Sequence, residues 1–194
     1  MIRDKPLHNF LFESDESGFY DNIEIFCTPW IDMCVILTLI KKFKPQSFLE
    51  IGTHKGYTTR NIKRKFPHLS ITTIDPGDKV PLNDRPPNQH TEYLPQSEIG
   101  CLLGDYPDIR ILKDRFEDIN FSGKNFDFIF IDGNHNYDHV IKDTRLALEL
   151  INKGGIIVWH DFNNVKAVND AVATFATINA ITLHNTWVGY CEIN

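Results

Sequence analysis

Apolar positions along this chain gather into short continuous runs, most of them closed by a glycine or an acid. The clearest is Phe48, Leu49 and Ile51, which stops at Gly52 and is followed by a second glycine, Gly56. Such a run ending on glycine predicts a buried strand entering a tight turn. Residues 57–66 then switch to helix-compatible side chains, with Ile62 and Phe66 on one face. The alternation repeats: 71–74 closes at Asp75, 109–112 leads to Asp114, 126–131 reaches Asp132, and 156–159 delivers His160 and Asp161. A helix is predicted after Asn136, with Val140, Thr144, Ala147, Leu148 and Ile151 on one side and Gly154 as its stop, and another over 165–176. The stretches 181–183 and 187–191 flank His184, Asn185 and Thr186 and read as an antiparallel hairpin. Strands alternating with helices define an α/β class with a mostly parallel sheet.

The remaining segments break this rhythm. Thr28 and Pro29 predict an N-cap and a first helical position for a helix running to about residue 43. Its apolar density over 33–40 predicts burial on more than one side, which a homodimer would satisfy; pattern alone also admits a buried strand. Residues 1–27 are aromatic and acidic without a period and predict an irregular arm. Residues 77–96, with Pro81, Pro86, Pro87 and Pro95, predict a long loop just after Asp75, placed to act as a lid. Within it, Arg85 and His90 are candidate substrate contacts.

The first turn narrows the chemistry. A dinucleotide fingerprint needs Gly-x-Gly, but His54 stands at the second glycine position, and Lys55 precedes its glycine rather than following it as in a phosphate loop. Glu50 at the strand end would repel phosphate and suits an ammonium group, while Asp75 on the neighbouring strand suits ribose hydroxyls. A ligand with a cationic amino acid at one end and a nucleoside at the other fits both acids.

Composition limits the alternatives. With 194 residues, 42% hydrophobic, the chain has one well-buried core, read as a single domain over 1–194. A net charge of −6 disfavours nucleic acid as a partner and leaves a small molecule as the expected one. Cys27, Cys34, Cys101 and Cys191 show no metal or disulfide spacing and read as free thiols. Residues 1–10 lack the apolar core of a signal peptide, and the run at 33–40 is far short of the about 20 residues that span a bilayer. The expectation is a cytoplasmic protein without membrane association.

Glu50-Ile51-Gly52-Thr53-His54-Lys55-Gly56 resembles the first motif of class I S-adenosylmethionine-dependent methyltransferases, and Ile74-Asp75-Pro76 resembles their second. Residues 126–162 are similar to the small-molecule O-methyltransferase branch that includes catechol and macrocin O-methyltransferases. The resemblance implies a Rossmann-like, seven-stranded, mostly parallel sheet with helices on both faces and a C-terminal antiparallel hairpin. It implies S-adenosylmethionine as cofactor, contacted by Glu50, Gly52, Thr53, Gly56, Tyr57, Asp75, Asp114 and Asp132. It also implies methyl transfer to a hydroxyl of a sugar, phenol or natural product, with Asp132, His160, Asp161 and His135 as catalytic candidates. In metal-dependent relatives, carboxylates at the fourth and fifth strand ends hold magnesium. Here the corresponding set is Asp132, His160 and Asp161, in which an imidazole also admits manganese. Asn134 occupies a position that carries a proposed base in some relatives and cannot take a proton, which leaves His135 or His160 for that task. A nitrogen or carboxylate acceptor on the same fold, or a cofactor-binding protein without catalysis, are the competing readings.

Overall fold

The structure, a computed structural model, describes residues 3–5, 18–25, 28–81, 85, 93–175 and 178–193. Eight strands and four α-helices are found among them, in the order β1 (Arg3–Lys5), α1 (Trp30–Phe43), β2 (Ser47–Ile51), α2 (Tyr57–Lys65), β3 (Ser70–Ile74), β4 (Arg110–Leu112), β5 (Phe126–Ile131), α3 (Tyr137–Leu150), β6 (Ile151–Trp159), α4 (Lys166–Ala173), β7 (Ile181–Leu183) and β8 (Gly189–Glu192). They form one sheet ordered β1-β7-β8-β6-β5-β2-β3-β4. β8 runs antiparallel to both β6 and β7; the other pairings are parallel. The seven expected strands and the hairpin are therefore present, and the three residues of β1 extend the edge beyond β7.

Strands covered on both faces carry apolar side chains at successive positions, and the period of two sorts them. Phe48, Phe128, Phe130, Ile156 and Val158 belong to the core shared with Met33, Ile36 and Ile62 of α1 and α2. Leu49, Ile51, Ile129, Ile131, Ile157 and Trp159 belong to the core shared with Val140, Ala147 and Val168 of α3 and α4. By the same alternation Glu50 and His160 fall on the α1 side. The chain reverses its direction of travel across the sheet between β2 and β5, which are direct neighbours. The crevice beyond their carboxyl ends is where an open α/β sheet takes a ligand.

Three local expectations need correction. The helix opens at Trp30 with Pro29 as its N-cap, and the Thr28 hydroxyl bonds instead to that of Thr58 at 3.1 Å. α3 ends at Leu150, because Ile151 is already extended and pairs with Phe126. Gly154, at φ +82, then sits in the irregular stretch of β6 before pairing resumes at Ile156. Finally, every residue of α1 from Asp32 to Ile40 is buried within its own chain, where Phe19 and Ile23 pack on the same core and the Tyr20 hydroxyl meets that of Thr38 at 2.7 Å. The apolar run needs no second subunit to cover it.

Most of the arm at 1–27, and residues 82–84 and 86–92 of the loop, including His90, lie outside the described residues. At the described ends of that loop Arg85 donates to the carbonyls of Asp78 and Val80 and lies over the Tyr93 ring at 4.6 Å.

Candidate active site

A cavity of about 460 Å³ opens at the carboxyl ends of β2, β3, β5 and β6. Its floor is the turn after β2. Gly52 adopts φ +104, and a Cβ there would lie 2.1 Å from the carbonyl oxygen of Asp132, so only glycine lets the tips of β2 and β5 come this close. The contact is closed by the Asp132 amide donating to Ile51 O at 2.8 Å. Gly56, at φ +97, caps α2 and abuts Leu103, and Tyr57 in the first turn of α2 faces the cavity.

Two acids anchor this half. Asp75 lines the cavity and accepts from the backbone N–H of His54 at 2.7 Å and of Gly77 at 2.8 Å; burial nevertheless raises its pKa. Glu50 is fully buried beneath the lining rather than part of it. Its Oε2 accepts from the Thr59 and Thr73 hydroxyls, while Oε1 has no hydrogen-bond partner. Burial pushes Glu50 up to about 8 against the pull of those two hydroxyls.

At the ends of β5 and β6 the electrostatics are reversed. The His160 ring, 5% exposed, places Nδ1 3.0 Å from Asp132 Oδ1 and 3.3 Å from Asp161 Oδ2, and Nε2 3.2 Å from Asp32 Oδ2. Burial opposes charge on this ring, but three carboxylates raise its pKa well above the ordinary value. It is therefore an imidazolium donating from both nitrogens. Asp32, on α1, also accepts the Trp187 N–H at 3.1 Å. Burial would raise Asp132, yet the His160 and His135 rings hold it down to about 2, and His160 likewise lowers Asp161.

His135 completes the group. Its Nε2 lies 3.1 Å from Asp161 Oδ2 and 4.0 Å from Asp132 Oδ1, but it is buried without a hydrogen bond. Ligand atoms of Asp132, His135 and Asp161 all fall within 4.8 Å of one another. Two carboxylates and an imidazole nitrogen converging on one point fit a divalent cation. His160, assigned to that set from sequence, has both ring nitrogens occupied, and His135 stands in its place. Asp161 holds φ +54, with Asn164 donating to its Oδ1 at 2.6 Å. The next residue, Phe162, is fully buried against Gly189, which has no side chain to obstruct the ring.

Of the residues expected from sequence, the cavity lining brings together Gly52, Thr53, Tyr57, Asp75, Asp132, His135, His160 and Asp161. Glu50 and Gly56 lie behind it. Asp114 is exposed, 3.5 Å from Lys79, and the residues after it, Arg115, Phe116 and Glu117, form the wall instead. Sequence reasoning missed Asp32, Asp143, Tyr93 and Trp187. The first two carried a signal, since each is an acid on a helix face otherwise assigned to the core.

Parallel strands in this order, with acids at their tips around a nucleoside-sized crevice, define the class I methyltransferase architecture. The chain belongs to the family described as a methyltransferase domain, whose profile matches residues 49–162. An uncharacterized protein, R132, of Acanthamoeba polyphaga mimivirus is 43% identical over 54 residues, covering 24% of each chain, so the match spans about a quarter of that relative. The fold is similar to that of the O-methyltransferase TomG from Streptomyces achromogenes, involved in tomaymycin synthesis and solved with SAM (TM-score 0.61, 14% identity, 96% of both chains). It is also similar to that of a putative caffeoyl-CoA O-methyltransferase from Staphylococcus aureus (TM-score 0.63, 17% identity, 97% of both chains).

Proposed function

We propose that the protein moves a methyl group from S-adenosylmethionine to a hydroxyl oxygen of a small molecule. The observation that carries this reading is the single cavity joining the Gly52 turn and Asp75 to the Asp132, His135 and Asp161 cluster. Asp75 would hold the ribose hydroxyls, and the N-terminus of α2 with the buried Glu50 behind it would face the amino-acid end. In-line displacement at the sulfonium carbon then needs positioning and a deprotonated acceptor. Asp132, His135 and Asp161 would hold a divalent ion, and such an ion favours the ionised form of a hydroxyl. An imidazole in the set suits manganese as well as or better than magnesium. His160 is a positioning residue here: it already donates from both nitrogens and has no lone pair to take a proton. Without metal, His135 in its neutral form, beside Asp161 and Asp132, is the group on which the acceptor's proton would land.

Proteins of similar fold were solved with this cofactor or its product, TomG with SAM and the Bacillus cereus O-methyltransferase with SAH (TM-score 0.56, 16% identity). The net charge of −6 supports a small acceptor over nucleic acid. Among the described residues no helix is long and apolar enough to cross a membrane. The cytoplasmic setting is supported by Cys34, Cys101 and Cys191, which are free thiols. A homodimer no longer has α1 to recommend it, and sedimentation would decide that point.

Labelled S-adenosylmethionine mixed with a panel of sugars, phenols, amines and carboxylates tests the reading. Label transfer to hydroxylated acceptors, lost after prolonged chelation and restored by manganese, is the expected result. Full activity in chelator would shift the work to His135 alone, and no transfer to any acceptor together with no thermal shift by S-adenosylhomocysteine would sink the proposal.

A further inference from the structure

Tyr93 and Asn134 both line the cavity, and none of the preceding chemistry uses them. The Asn134 side-chain amide donates to the Tyr93 hydroxyl at 3.2 Å, joining positions 41 residues apart. Each partner is held from behind. Asn134 Oδ1 accepts the Asn136 N–H at 2.9 Å, which leaves the amide nitrogen for Tyr93. The Arg85 guanidinium lies over the Tyr93 ring at 4.6 Å and is itself fixed by the carbonyls of Asp78 and Val80, both at 2.9 Å. Just past Tyr93 the chain is tied back to the end of β3: the Asp78 N–H donates to Leu94 O at 2.9 Å, and the Gln96 amide donates to Pro76 O at 2.6 Å.

Tyr93 is thus rooted at the tip of β3, and Asn134 in the turn that follows β5. In the sheet, β2 lies between those two strands. A bond from one to the other crosses above the carboxyl end of β2, a span of two strand spacings or about 10 Å. The Gly52 turn lies at that end. We propose that the Tyr93–Asn134 bond is a clasp over the cofactor, one that has to part whenever the cofactor enters or leaves. This rests on the methyltransferase reading and goes beyond it by giving a kinetic task to two residues that do no chemistry. It also accounts for an amide at Asn134, which cannot take a proton but can reach the phenol while its oxygen holds the start of α3. The bond uses no atom of a ligand, so it closes the free and the loaded protein alike. Such a closure slows entry and exit by the same factor and leaves affinity nearly unchanged, and one hydrogen bond sets that factor at about fivefold.

Stopped-flow mixing of the full chain with S-adenosylhomocysteine measures both rates through tryptophan fluorescence, to which the cavity-lining Trp187 contributes. Tyr93→Phe should speed uptake and release about fivefold each and leave Kd within about twofold. Asn134→Ala should do the same. The double variant should be no faster than either single one, as two ends of one bond require. Asn134→Asp keeps an oxygen for the Asn136 N–H and offers the other to the Tyr93 O–H, so slow exchange should return. Unchanged rates in Tyr93→Phe, effects that multiply in the double variant, a loss of affinity with uptake unaltered, or an Asp variant as fast as the Ala one would each overturn this inference and leave the methyltransferase reading standing. Failure of the unaltered protein to bind S-adenosylhomocysteine overturns both.

Discussion

At the ends of β5 and β6 the carboxylates of Asp132 and Asp161 sit against His135 and His160, whereas Glu50 and Asp75, on the other side of the same crevice, are met only by hydroxyls and backbone N–H groups. Burial acts on all of them, and the outcome differs with the partner. The His160 and His135 rings hold Asp132 at about 2 against its burial, while threonine hydroxyls leave Glu50 near 8. The first half is assembled before any ligand arrives. In the second, the acids meet only neutral donors among the described residues, and a cationic, hydroxylated ligand would bring a positive charge to them.

The largest effect expected from this contrast is on turnover. Asp161→Ala removes one of the two carboxylates that point at His135, and methyl transfer should fall by about 10²–10⁴-fold, while the thermal shift produced by S-adenosylhomocysteine survives. Loss of the shift as well would show that the two halves are not separable.

A smaller effect concerns stability against pH. Glu50 is raised from an ordinary 4.5 to about 8, so the folded chain holds a proton that the unfolded chain has released. Its contribution is full below the ordinary value and is lost as pH rises through about 8. Glu50→Gln cannot ionise, so its ligand-free melting temperature should decline less than that of the unaltered protein between pH about 6 and about 9, a difference on the order of a few kcal/mol at the upper end. An identical decline in both proteins would mean that the Glu50 carboxyl is ionised throughout. The histidines lose stability in the same direction, so the slope should shrink without vanishing.

The smallest effect is expected at Asp114. It is exposed and, among the described residues, paired only with Lys79 and its own turn. Asp114→Ala should change cofactor affinity less than about twofold, with stability altered by under about 1 kcal/mol. A tenfold loss of affinity would restore it to the adenine site.

What the sequence made legible follows from the same physics. Strands buried on both faces write continuous apolar runs, so β2, β3, β5 and β6 and the acids that close them could be placed in order. Glycines forced by a backbone contact, as at Gly52, were equally visible. The choice between His135 and His160 was not. It depends on which helix covers each face of β6, and the Asp32 that occupies His160 Nε2 is 128 residues away in the chain. Asp114 falls outside the cavity wall for a related reason, because the short turn Phe116–Asp118 after β4 packs against α3 and carries its own side chains to the wall. The end of α3 was misjudged because Gly154 looked like a stop, when pairing of Ile151 with Phe126 had already drawn the backbone straight.

Asp32 hangs from a helix sealed over nine successive residues, from Asp32 to Ile40. Amide protons there should be among the last to exchange with deuterated solvent, released only when the molecule opens as a whole. The brace behind His160 is thus rooted in the slowest-exchanging layer of the domain, and the orientation of that ring should persist through every local opening of the surrounding loops.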